Sequence, residues 1–151
     1  MTERVVFKPI GTVSTVFKEP QDTKQGKTDK TAKIILKKEY EKGLNGLEEF
    51  SHIIVVFHFH LSKDFELFVK PLKYNPQDKT VGVFATHSPF RPNAIGVSVV
   101  RLFNINKNVL SFENRDILDS SPVLDIKPYL PERVDKVKLG WYAAKNIGGD
   151  V

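Results

Sequence analysis

Hydrophobic and polar positions alternate with a period of two over much of the chain. From Ser51 to Leu61, Ile53, Val55, Phe57 and Phe59 fall on one face of an extended segment. Ile54, Val56, His58 and His60 fall on the other. Apolar residues on both faces predict a central strand. Ala32, Ile34 and Leu36 alternate with lysines and Ile35, which predicts a half-exposed strand. Val81, Val83 and Ala85 alternate with Gly82 and Phe84, another strand pattern. Gly96 to Leu102 follows, with Val97, Val99 and Arg101 on one face. After the turn cluster Asn104 to Asn108, Val109 to Phe112 returns to form a hairpin with Val97 to Phe103. Leu124 to Tyr129 reads as a last strand, ended by Pro128 and Pro131. Weaker patterns give one bent or two short strands in Arg4 to Val16, with Gly11 allowing a bulge. Glu66 to Val69 is a short strand. Glu39 to Phe50 reads as helical turns broken by Gly43 and Gly46. Many short strands between turn signals define a mainly β chain, with barrel and sandwich both open.

Length bounds this to a single domain over residues 1–151, large enough for one core. The chain has no cysteine, which excludes disulfides and thiolate metal sites and fits a reducing, cytoplasmic location. There is no apolar run of about 18 residues, so no membrane span is expected. The start, M-T-E-R-V-V-F, lacks the apolar core of a signal peptide. The net charge of +5 is unevenly placed: Lys18 to Lys38 holds seven lysines against three carboxylates, a local +4. Such a segment either attracts a polyanion or only solvates a loop. Phe17 to Thr31, with Pro20 and Gly26, predicts a loop of about 15 residues, long enough to be functional or disordered.

Candidate chemistry concentrates in a few places. Between Val81 and Leu102, Pro89 and Pro92 stiffen an insert that carries Thr86, His87, Ser88, Arg91 and Asn93. A rigid turn with this many donors suggests a binding loop, or else a prolyl connection with solvated polar groups. His58 and His60 share a strand face, but no Asp, Glu or Cys at strand spacing completes a ligand set, so no metal is expected. There is no phosphate-binding loop and no dinucleotide glycine fingerprint.

The insert A-T-H-S-P-F-R-P-N-A-I-G resembles the signature A-T-R-S-x-x-R-P-N-P-I-G of the TsaA-like family, also called YaeB or TrmO. Asp116 to Tyr129, D-I-L-D-S-S-P-V-L-D-I-K-P-Y, resembles its second signature, D-x-L-D-G-T-P-V-x-D-I-K-P-Y. Glu49 to Ile53 and Phe57 to His60 resemble a third block. The resemblance covers residues 6 to 129, with a tail at 130–151. It implies a β-barrel with short helical turns and long functional loops. It implies a homodimeric S-adenosylmethionine-dependent methyltransferase acting on N6 of threonylcarbamoyl-adenosine beside a tRNA anticodon.

By the same resemblance, cofactor contacts fall on His60, Leu61, Val97, Asp116, Ile117, Leu118 and Asp119. They also fall on His87, where the family has arginine, and on Thr23, Lys24 and Gln25, where it has P-R-Q. Lysine lacks arginine's bidentate fork, and histidine's charge depends on pH. Carboxylates at Asp116 and Asp119 suit ribose hydroxyls or an ammonium, and the Ile117-Leu118 pair suits the face of adenine. His60 is the candidate for positioning or deprotonating the acceptor. Arg91, Asn93, Lys127 and Tyr129 are candidate tRNA contacts, and Lys24, Lys27, Lys30 and Lys33 supply non-specific attraction. Two competing readings remain open. One is a non-catalytic RNA-binding barrel that stacks bases on Phe90, Tyr129 or Trp141; the other is a methyltransferase for a small molecule.

Overall fold

A computed structural model describes residues 3–24, 30–71 and 78–143. Its strands are β1 (Gly11–Ser14), β2 (Thr31–Leu36), β3 (His52–His58), β4 (Phe68–Val69), β5 (Val81–Gly82), β6 (Ile95–Asn106), β7 (Val109–Glu113) and β8 (Pro122–Pro128). Six of them close a barrel in the order β1-β2-β7-β6-β3-β8, every pairing antiparallel. Closure pairs each of these six strands on both sides. That settles the choice between barrel and sandwich.

The alternation read from sequence becomes an inside and an outside. Ile34 and Leu36 of β2, Ile53, Val55 and Phe57 of β3, and Leu110 and Phe112 of β7 point inward and form one buried cluster with Ile117 and Val123. On β6 the inward positions are Gly96, Val100 and Leu102, whereas Val97 and Val99 face out, 60% and 52% exposed. Hydrophobicity misleads about this strand because its inner face needs room for a neighbour's side chain. A Cβ at Gly96 would lie 2.4 Å from Cζ of Phe57, its register partner on β3. Next to that close approach, between Val56 and Phe57, the β3–β8 register shifts.

Residues group into two compact units. The first is Met1–His60 with Ile95–Tyr129, which contains the barrel. The second is Leu61–Ala94 with Leu130–Val151. In the second, β4 and β5 pair over only two residues each, and Val83–Ala85 is a 3-10 turn rather than the end of a strand. The turn is followed by an insert whose prolines cannot donate to a sheet. Trp141 of the C-terminal tail docks here: its indole N–H donates to the Ala85 carbonyl at 2.7 Å.

Other local expectations are adjusted. Only Gly11–Ser14 is strand in the N-terminal stretch, and Gly11 is needed for close approach to Ile35 rather than for a bulge. The turns after β2 are 3-10 helices, Lys38–Leu44 and Leu47–Glu49. Gly43 lies inside the first, and Gly46, with φ of 89°, separates them. β6 runs on through the expected turn cluster to Asn106, leaving a two-residue turn at Lys107-Asn108. No helix among the described residues is long and apolar enough to cross a membrane.

Candidate active site at one barrel rim

Antiparallel topology gathers the chemistry at one end. The C-terminal ends of β1, β3 and β7 and the N-terminal ends of β2, β6 and β8 share a rim. The chain leaves the barrel there at His60 and re-enters at Ile95. The loop from Asn114 to Ser121 joins β7 to β8 across the same rim.

That loop is held by a buried polar network. Asn114 is fully buried. Its amide donates to the Ile117 carbonyl at 2.7 Å and to Thr15 Oγ1 at 3.3 Å, and its carbonyl oxygen accepts from the Ile117 N–H at 2.9 Å. Leaving any of these buried groups without a partner would cost about 1–3 kcal/mol each. The backbone is zipped to β1 and the segment after it: Asp119 N–H donates to the Phe17 carbonyl, Ser120 N–H to the Val13 carbonyl, and Val13 N–H to the Ser121 carbonyl. Ser120 takes a positive φ of 65° to make this turn.

Within this frame the two predicted aspartates differ. Asp119 accepts from the Thr15 N–H at 2.9 Å, from Lys18 Nζ at 2.6 Å and from the Ser120 hydroxyl at 3.3 Å. The Lys18 hydrogen bond, then that of the Thr15 N–H, hold its carboxyl below the ordinary value of 3.8. Its lone pairs are largely committed to the fold. Asp116 is exposed and accepts only from the Ser98 hydroxyl of β6, at 3.2 and 3.5 Å, in the hydrogen bonds among the described residues. It retains acceptor capacity toward a ligand. Ile117, offered by sequence as an apolar platform, is 0% exposed and belongs to the barrel core. Only its backbone could meet a ligand, and its N–H and carbonyl are already bonded to Asn114. Leu118 is half-buried and Val97 exposed.

His60 stands just past β3, half-buried, with Nδ1 3.5 Å from the buried Ser121 hydroxyl. Burial pushes its pKa down and the neighbouring His58 imidazole adds to this; a hydrogen bond to the His58 carbonyl and the charge on Asp119 oppose it. A neutral imidazole is thereby favoured, which is the form that accepts a proton. No cluster of three or more His, Cys, Asp or Glu suited to a metal occurs among the described residues.

The remaining candidates are placed as follows. Thr23 donates its hydroxyl to the Pro20 carbonyl at 2.8 Å in a 3-10 turn, and Lys24, exposed, ends that turn. Gln25 lies outside the described residues. Lys127 pairs with Asp125 at 2.8 Å, and Tyr129 N–H donates to the His52 carbonyl. Both therefore sit at the opposite rim, a β3 length or about 20 Å from His60. A cavity of about 430 Å³ at that far rim, lined by Leu44, Phe50, Ile126 and Pro128 among others, contains none of the predicted residues.

In the second unit Leu61, His87 and Asn93 are exposed. Thr86 is not presented as expected but buried, its hydroxyl bonded to Val83. Arg91 turns onto its own loop. Its NH1 donates to the carbonyls of Thr86 at 2.6 Å, Val83 at 3.2 Å and Ser88 at 3.3 Å, and its guanidinium lies 5.9 Å from the Phe84 ring centre. None of these carbonyls has a sheet partner; the two hydrogens of NH1 are shared among the three, and the Val83 carbonyl also accepts from the Thr86 N–H and hydroxyl.

Asn114, Thr15, Lys18 and Ser121, whose hydrogen bonds hold the rim loop, are residues that sequence reasoning did not single out. Ser121 lies inside the second signature and Lys18 inside the basic tract; Asn114 carries no local signal.

A closed six-stranded barrel with a half-buried imidazole and an exposed carboxylate at one rim defines the class as a small β-barrel protein. Residues 12–136 match the family model described as the tRNA-methyltransferase O N-terminal domain, and the chain belongs to that family. A probable S-adenosyl-L-methionine-binding protein of Pyrococcus abyssi is 44% identical over 95% of this chain and 78% of its own length. A mouse (Mus musculus) protein named tRNA (adenine(37)-N6)-methyltransferase is 40% identical over 61% of this chain and 21% of its own. The crystal structure of TrmO from Pseudomonas aeruginosa aligns with a TM-score of 0.70 at 33% identity, over 93% of this chain. The present chain spans 62% of the length of that solved chain.

Proposed function

We propose that this chain is an S-adenosylmethionine-dependent tRNA methyltransferase that methylates N6 of threonylcarbamoyl-adenosine beside the anticodon, acting as a homodimer in the cytoplasm. The observation that carries this reading is the gathering of His60, Asp116 and Val97 at one rim of a barrel of this family. Solvent-facing Asp116 fits the polar side of the cofactor, since a carboxylate with spare lone pairs accepts from ribose hydroxyls or from an ammonium. Asp119 is the clasp that holds the rim together rather than a second free acceptor.

When bound, S-adenosylmethionine supplies a methyl group on a sulfonium, already a good leaving group. The chain's own task is to hold the acceptor nitrogen in line and to take its proton. Neutral His60 takes that proton, and the negative charge on nearby Asp119 favours the imidazolium that results. Lys30 and Lys33, exposed at and within the N-terminal end of β2, attract tRNA phosphate. The homodimer is supported by an outward apolar strip, in which Val97 and Val99 of β6 lie beside Val56 and Ile54 of β3. Val97→Glu is expected to yield a monomer in light scattering; an unchanged mass would remove this strip as the interface.

The test is methyl transfer to tRNA with and without the threonylcarbamoyl group, followed by mass analysis of nucleosides. A methyl on the modified adenosine alone supports the proposal. Transfer to neither tRNA, with cofactor bound, points to a different acceptor. Tight RNA binding without any cofactor binding would make this a non-catalytic RNA-binding barrel.

A further inference from the structure

The Ser121 hydroxyl has one proton and two lone pairs. Its Oγ lies 2.7 Å from the Leu118 carbonyl oxygen, which can only accept, so the proton points there. The same oxygen lies 3.5 Å from Nδ1 of His60 and meets it with a lone pair. Nδ1 then has to supply the hydrogen. A neutral imidazole carries only one N–H, so Nε2 is left bare.

We propose that Ser121 is a positioning residue that fixes His60 in the Nδ1–H tautomer, leaving Nε2 as the proton acceptor at the rim. The use of that acceptor rests on the methyl-transfer reading above, but the tautomer does not. As the bond from N6 to the methyl carbon forms and the sulfur keeps the pair of the broken bond, the N6 proton passes to Nε2. His60 becomes imidazolium and later returns the proton to solvent.

The surroundings make Ser121 suited to this task. It is buried, and both of its backbone groups are bonded: N–H to Leu118 at 3.3 Å and carbonyl from Val13 at 3.0 Å. Asn114 fixes the start of the same loop and Asp119, through Thr15 and Lys18, its middle. The hydroxyl therefore has little freedom to swing toward another partner. At 3.5 Å the approach to Nδ1 is long, as catalytic hydrogen bonds often are before substrate arrives. The charged and titratable groups around His60 are the His58 imidazole and the Asp119 carboxylate. Neither donates to Nδ1 in the hydrogen bonds described; the His58 carbonyl also accepts from the ring, and the Ser121→Ala comparison reads the share of the tautomer preference that the hydroxyl sets.

The test reads the tautomer directly, by nitrogen NMR of histidine-labelled chain without cofactor or tRNA. The four histidines are distinguished with His60→Gln. The expected result is a protonated Nδ1 and a bare Nε2 at His60 above its pKa. Ser121→Ala should shift the tautomer ratio about fivefold toward Nε2–H, the effect of one ordinary hydrogen bond. Ser121→Thr, which keeps the hydroxyl, should restore it. In turnover, Ser121→Ala should lower kcat with little change in KM for the cofactor. A wild-type His60 protonated at Nε2, or a ratio indifferent to Ser121→Ala, overturns the proposal. Absence of methyl transfer would count against the proposed function instead, because the NMR readout needs neither cofactor nor RNA.

Discussion

Gly96→Ala tests how the barrel interior shapes the site. The added Cβ would lie 2.4, 2.6 and 2.8 Å from Cζ, Cε2 and Cε1 of Phe57. Ordinary van der Waals separation begins at 3.4 Å, so the ring must retreat by about 1 Å in a close-packed core. Phe57 is 3% exposed and packs edge-on against Phe59, ring centres 5.1 Å apart, so the retreat is passed to a second ring. Overpacking of this kind costs about 1–3 kcal/mol. Loss of glycine's entropy in the unfolded chain returns about 0.4–1 kcal/mol. A net loss of about 1–2 kcal/mol follows, and the melting temperature of a chain this size falls by roughly 2–4 °C per kcal/mol.

Urea unfolding of wild type, Gly96→Ala, Phe57→Leu and the double variant closes a cycle. Leucine lacks the three ring atoms in conflict, so the double variant should be more stable than the sum of the singles by at least about 0.5 kcal/mol. Because Phe57 immediately precedes the strand end that delivers His60, methyl transfer should fall in Gly96→Ala and recover partly in the double variant. Additive effects, or an unchanged urea midpoint in Gly96→Ala, would refute the close-approach argument.

Three further outcomes are expected. Asp119 has its pKa depressed in the folded chain, so it contributes stability above the ordinary 3.8 that is lost as pH falls through the folded value. Asp119→Asn should lower the stability measured by urea unfolding at pH 7 by about 1–3 kcal/mol, and weaken the acid dependence below pH 4; parallel curves for both proteins would contradict the clasp. Arg91→Lys keeps the charge but loses the planar guanidinium that reaches these carbonyls from over the Phe84 ring, so hydrogen exchange across Val83 to Ser88 should quicken; unchanged exchange would mean the staple is dispensable. Lys30→Glu with Lys33→Glu should weaken tRNA binding and reduce its dependence on salt, by about one unit of slope for each phosphate no longer neutralised; an unaltered slope would place the RNA elsewhere.

Much of the architecture is legible in the chain. The period-two runs at Ile53 to Phe59 and Ala32 to Leu36 specify which side chains enter the core, because a strand has only two faces and one must be dry. The two long signatures locate the family and the loops that matter. Local pattern carries no record of what lies across a barrel, however. It could not say that Val97 and Val99 face outward, since that depends on Phe57 filling the space over Gly96. It could not separate Asp116 from Asp119, two aspartates in one motif. Only the tertiary structure gives one the N–H of Thr15 and the ammonium of Lys18, about a hundred residues away, and leaves the other open. Ile117 enters the core, Arg91 turns onto carbonyls that the prolines leave without a sheet partner, and Lys127 and Tyr129 lie at the far rim. Alternation and propensity are properties of neighbours along the chain. Hydrogen-bond satisfaction and packing are properties of neighbours in space, and these decide which of the signature residues remain available for chemistry.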